Sequence, residues 1–110
     1  MDLNELTAEM DRFVSEKGWY NADSPRPQTP RNLAASLAIE AAEVLEHFQW
    51  EETAVDTEAL GAELADVGLY LLQLARVCEI DLEKALLAKL HENYGRSWGT
   101  SADIPTEFAK

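Results

Sequence analysis

The sequence predicts an all-α protein, and three observations carry that prediction. Leu and Ala together number 31 of 110 residues, against 8 for Val plus Ile; the first pair favours helices and the second strands. No proline lies between Pro30 and Pro105, and Gly61 and Gly68 are the only glycines between Gly18 and Gly95. Apolar side chains recur at three- and four-residue steps in four separate stretches. The reading is one four-helix bundle over residues 1–96, followed by an irregular tail over 97–110.

The first helix is predicted over residues 3–17, on the series Leu3, Leu6, Met10 and Phe13, with Gly18 as its stop. Pro25, Pro27 and Pro30 make residues 19–30 a loop, because each fixes φ and removes an amide donor. A second helix follows over residues 31–50 with the stripe Leu33, Leu37, Val44 and Phe48. Residues 51–56 form an acidic connection, ending where Asp56 or Thr57 can cap a third helix. In that helix Leu60, Leu64, Val67, Leu71, Leu74 and Cys78 recur as a heptad seam, which reads Cys78 as a buried small hydrophobe. Leu69 and Leu72 make a second apolar flank, expected to pack against another subunit. Asp81 caps a fourth helix that runs to about residue 94, with Gly95 ending it.

Composition excludes several classes of function. Nine basic against 21 acidic residues give a net charge of −12, which opposes unaided binding to nucleic acid. The longest stretch free of charged side chains, residues 67–75, is too short to span a bilayer. Asp2, Glu5, Glu9 and Asp11 give the N-terminus the wrong chemistry for a signal peptide. A single cysteine permits no intrachain disulfide and fits a reducing compartment. The expectation is a cytoplasmic domain.

Most of the acids belong in water, but four are placed otherwise. Glu40 falls in the middle of the second helix's apolar stripe and Glu43 on its edge, while Glu63, Asp66 and Tyr70 follow one edge of the third helix's seam. Each helix therefore sets two acids three residues apart, about 5–6 Å between Cβ atoms, close enough to reach one ion. An ionised carboxylate removed from water without a partner costs several kcal/mol, on the order of 3–5. Arg76 is the only Lys or Arg between Arg31 and Lys84, so a bound cation is the compensation that remains. All-oxygen ligation indicates Mg²⁺, Mn²⁺ or Ca²⁺ rather than zinc. A di-iron bundle requires Glu-x-x-His, whereas Val44 and Ala88 stand three residues before His47 and His91. His47 itself reads as a residue of the bundle or subunit interface.

Glu40-Ala-Ala-Glu43 followed by Glu63-Leu-Ala-Asp66 resembles the ExxE…ExxD signature of the MazG-type nucleoside triphosphate pyrophosphohydrolases. The resemblance is to their short, dCTP pyrophosphatase-like branch. Pro30-Arg31-Asn32-Leu33, Phe48-Gln49-Trp50 and Tyr70 match that branch in spacing, as do Lys89 and Asn93. It implies an all-α, MazG-like bundle, usually a tetramer assembled from dimers. The implied reaction cuts a nucleoside triphosphate between the α- and β-phosphorus, with Mg²⁺ (or Mn²⁺) held by Glu40, Glu43, Glu63 and Asp66. Lys89, Asn93 and Arg96 lie along one line of the fourth helix and suit phosphate oxygens. Trp19 and Trp50 end helices, where an indole can stack on a base. Arg31 and Tyr70 complete the substrate set.

This chain departs from that branch in two places. The loop before Pro30 is longer, carries three prolines counting Pro30 itself, and has no histidine; and Tyr94-Gly95-Arg96 stands where relatives tend to read Arg/Lys-Tyr-Pro. Both touch base recognition more than metal binding. The expected substrate is a deoxynucleoside triphosphate, dCTP foremost. The alternative is a catalytically idle acidic module that oligomerises and regulates a partner.

Overall fold

Each helix begins where a short polar side chain receives an orphan amide. α1 (Leu3–Glu16) starts behind Asp2, whose Oδ1 accepts from Glu5 N at 2.8 Å. α2 (Pro30–Glu46) starts behind Thr29, which accepts from Asn32 N at 3.2 Å, with Pro30 in the first turn, where no amide is required. Asp56 caps α3 (Thr57–Val77) through Ala59 N at 3.0 Å, and Asp81 caps α4 (Leu82–Gly95) through Lys84 N at 3.1 Å. The computed structural model describes residues 1–96, among which every regular element is helical. The expected tail lies outside the described residues. No helix among the described residues is long and apolar enough to cross a membrane.

Two helices end in the same motif on different residues. After α1, Gly18 takes φ +73°, and the amides of Gly18 and Trp19 reach Ser15 O at 3.0 Å and Val14 O at 3.2 Å. After α3, Glu79 takes φ 58°, and the amides of Glu79 and Ile80 reach Arg76 O at 3.1 Å and Ala75 O at 2.8 Å. Both are Schellman caps, but only the first has the glycine that a left-handed residue favours. α2 stops four residues earlier than its periodicity predicts. His47, Phe48 and Gln49 instead turn back to the carbonyls three residues before them, at 3.2, 2.9 and 3.3 Å, tightening the last turn.

α2 packs along α3, α1 lies across α3, and α4 rests chiefly on α1. Met10, Val14 and Leu72 form the core, with Leu3, Tyr20 and Leu82 against them; Leu33 and Ala75 are also buried. This corrects two expectations. Leu72 packs inside the chain against α1 rather than on a subunit surface. Cys78 is exposed, as is Leu64 at 52 %, because α4 does not lie along the heptad seam. An Asn4 Nδ2 bond to Glu83 Oε2 at 3.0 Å ties α4 to α1 at its start, while Leu86, Leu87, Leu90 and Tyr94 beyond it face outward. The radius of gyration is 17.0 Å, against about 13 Å for a compact chain of this length. The four helices are present, but they make an open arrangement.

The Glu79 cap yields a test. A left-handed conformation costs a non-glycine residue about 1–2 kcal/mol, partly offset by glycine's larger loss of chain entropy. Glu79→Gly is predicted to stabilise the fold by about 1 kcal/mol, raising the melting temperature by roughly 4 °C. A lower melting temperature would contradict this reading of the turn.

Candidate metal centre and adjoining cavity

The pairing of α2 with α3 brings together three of the four predicted acids. Glu40, Glu43 and Glu63, all half-buried, each offer a carboxylate oxygen, and those oxygens lie within 4.8 Å of one another. Glu40 Oε2 and Glu63 Oε2 are sealed from solvent and make no hydrogen bond among the described residues. Buried acceptors are normally satisfied, so two orphaned carboxylate oxygens on members of this trio suit a hard cation. Asp66, one turn beyond Glu63, is more exposed and stands outside the tight trio, though its charge acts on both Glu40 and Glu63.

Electrostatics match the geometry. Burial, and after it the neighbouring Glu43, pushes the Glu40 and Glu63 carboxyls above the ordinary 4.5, and Asp66 pushes the same way. His47 opposes the shift at Glu63, which places this histidine beside the acids. Arg76, the one Lys or Arg between Arg31 and Lys84, is directed elsewhere: its Nη2 lies 3.7 Å from Asp11 Oδ2. Nothing cationic from Lys or Arg in that stretch serves the acids.

A cavity of about 590 Å³ opens beside them, with Asp66 in its wall. Phe13, Trp19 and Leu69 give it apolar sides, Tyr70 continues the edge from Asp66, and Trp19 meets Phe13 edge-on with ring centroids 5.4 Å apart. Trp19, Asp66 and Tyr70 thus share one wall system. The remaining predicted substrate residues do not line it. Arg31 is exposed in the first turn of α2, and Trp50 is 86 % exposed past its end. Lys89 pairs with Glu92 at 3.5 Å on the outer face of α4, and Arg96 follows that helix, its amide on Asn93 O at 3.2 Å. The chain's own fold does not bring Lys89, Asn93 and Arg96 to this cavity.

Sequence reasoning missed Gln73, which is only 5 % exposed and lines the cavity with Gln28 and Arg26. The signal was present: Gln73 is the single amide side chain in the uncharged stretch 67–75. Tyr20 was also missed. Its hydroxyl is sealed without a hydrogen bond, and burial followed by the charge of Asp11 pushes it up to about 12.

The repulsion among the acids can be measured. A carboxyl whose pKa is raised in the fold favours folding while protonated, a contribution present below about 4.5 and lost as pH rises through the raised values. Near neutral pH the metal-free fold therefore carries the strain of Glu40 and Glu63, and Glu43 contributes to both. Glu43→Gln is predicted to raise the melting temperature of metal-free protein at neutral pH by roughly a few degrees. The gain should shrink as pH falls toward 4.5. A variant that melts lower than the native chain at neutral pH would show the trio to be cohesive rather than repulsive.

Three comparisons bear on these features. The MazG-like family model matches residues 35–107, which include the two acid pairs. The chain is 35 % identical over 104 residues to dCTP pyrophosphatase 1 of Rattus norvegicus, and 35 % identical over 104 residues to dCTP pyrophosphatase 1 of Homo sapiens. Each match covers 86 % of this chain and 56 % of the relative, so the chain spans little more than half the length of these proteins. A crystal structure of a pyrophosphatase from Archaeoglobus fulgidus DSM 4304 is similar at a TM-score of 0.70 and 34 % identity, over 83 % of this chain and 87 % of that one. With the helical order, the paired acids and the match over 35–107 in agreement, the chain belongs to the MazG-like family.

Proposed function

We propose that the chain is a Mg²⁺-dependent pyrophosphohydrolase of a deoxynucleoside triphosphate, dCTP foremost, acting in nucleotide-pool house-cleaning in the cytoplasm. The observation that carries this reading is the convergence of Glu40, Glu43 and Glu63, two of them with orphaned oxygens, beside a cavity that shares Asp66. The relatives' names and the pyrophosphatase neighbour support the same reaction class. Glu40, Glu43, Glu63 and Asp66 would hold the ion, with Mn²⁺ as its substitute. Bound there, Mg²⁺ supplies the positive charge that a triphosphate needs to approach a chain at −12.

The chain's own residues then divide the substrate between them. The base enters the apolar cavity, where Trp19 and Tyr70 flank it, and the phosphates lie at the acid end. One water is consumed. Its oxygen bonds to the α-phosphorus as the bond from that phosphorus to the bridging oxygen breaks, giving monophosphate and pyrophosphate. Lys89, Asn93 and Arg96 are assigned to distal phosphate oxygens, and Arg31 and Trp50 to the substrate's outer side. Since none of these five lines the cavity within one chain, this assignment requires a homo-oligomer. The outward Leu86, Leu87 and Leu90 of α4 give it an apolar contact surface, and a tetramer is favoured over a dimer.

Product identity tests the reading. Phosphorus NMR on dCTP with Mg²⁺ is expected to show monophosphate and pyrophosphate, with turnover abolished by chelator. Glu43→Gln is expected to lower turnover on the order of 100-fold or more while the helical signal is kept. Diphosphate with orthophosphate, or full turnover in excess chelator, would contradict it.

A further inference from the structure

The cavity holds a polar relay whose direction is set by the backbone. Gln28 Nε2 donates to the carbonyl oxygen of Arg26 at 2.9 Å, and Gln73 Nε2 donates to Gln28 Oε1 at 2.7 Å. A backbone carbonyl can only accept. Gln28 must therefore turn its NH₂ toward Arg26 and its oxygen toward Gln73, and Gln73 must answer with its own NH₂. The usual ambiguity of an amide's two ends is removed at both residues. With its NH₂ turned to Gln28, Gln73 has its Oε1 left as an acceptor. The Tyr20 hydroxyl, a second polar group beside Gln73, has no partner at full hydrogen-bond geometry; the Gln73 amide acts on it as a donor, lowering its pKa against burial and Asp11, so the contact engages the NH₂ end and leaves that oxygen open. Gln73 is 95 % buried by its 5 % exposure, and the surface it keeps lies on the cavity wall.

Its position on the helix matters as much as its polarity. Gln73 stands seven residues after Asp66, two turns along nearly the same face of α3, with Tyr70 between them. That is about 10 Å of axial rise, so a nucleotide anchored by its phosphates at the acids points the far edge of its base toward Gln73. We propose that the Arg26–Gln28–Gln73 relay is the base-reading device of this site: it presents a fixed acceptor that selects a 4-amino pyrimidine over a 4-keto pyrimidine. This inference rests on the nucleotide reading above. A cytosine-type base offers N4–H to Gln73 Oε1; a uracil-type base held in the same register sets its O4 against it, two acceptors face to face. Unmatched buried polar groups are the strong source of discrimination between ligands of equal size.

The test compares dCTP with dUTP as substrates of the full chain with Mg²⁺, reading kcat and KM for each. Native protein is expected to favour dCTP in kcat/KM by roughly tenfold or more. Gln28→Ala releases the Gln73 amide to rotate, so the dCTP-to-dUTP ratio should fall several-fold, with a gain for dUTP carried in KM. Gln28→Glu can still only accept from Gln73, so it should retain the preference that Gln28→Ala loses. A purely structural role for the pair would depress both substrates together and leave the ratio where it was; that outcome, with turnover intact in native protein, overturns the relay alone. Native protein that turns over neither substrate overturns the nucleotide reading and the relay with it.

Discussion

The rest of the structure depends on one unfavourable contact: three carboxylates gathered between two helices with no ion pair to a Lys or Arg among the described residues. Like charges at this spacing oppose the packing of α2 on α3, yet that packing is the most extensive among the four described helices. An arrangement of this kind persists where binding gives back what folding gives up, and a bound cation would do so by taking the orphaned oxygens of Glu40 and Glu63 as ligands. Arg76, the only Lys or Arg between Arg31 and Lys84, is held by Asp11 instead. Structural neutrality and capacity for a cation thus exclude each other at this trio.

α3 is the element that turns an acid cluster into a site with length. Glu63, Asp66, Tyr70 and Gln73 follow one another along a single edge of it, so charge, aromatic surface and amide are met in that order by a ligand lying along the helix. α1 supplies the far wall with Phe13 and Trp19, fixed by a Schellman cap that needs the positive φ of Gly18. The long loop before α2, whose prolines keep it out of regular structure, contributes Arg26 and Gln28. That loop holds no histidine, and its Gln28 completes an amide pair with Gln73 of α3.

Much of this was legible in the sequence, for physical reasons that can be named. All four helices were, because caps at Asp56 and Asp81 and the stop at Gly18 are local chemistry. Glu40 was, because an acid in the centre of an apolar stripe conflicts with its surroundings whichever partner the helix packs on. The heptad seam misled: periodicity tells which face of α3 is apolar, not which neighbour covers it, and α4 leaves Leu64 and Cys78 open. Leu72 was assigned to a subunit contact because sequence cannot say that α1 crosses α3 on that flank. Gln73 was overlooked because one uncharged polar residue in an apolar stretch carries no periodic signal. Only the approach of Gln28, 45 residues away in sequence, gives it meaning.

The central claim is that the trio of acids exists to hold a divalent cation. Anomalous diffraction from crystals grown with Mn²⁺ addresses it most directly, since the ion reports its own position. The account predicts an anomalous peak between Glu40, Glu43 and Glu63, within coordination distance of at least two of their oxygens and on the side facing Asp66. A map with no peak there at saturating Mn²⁺, and with the three carboxylates turned apart into solvent, would contradict it.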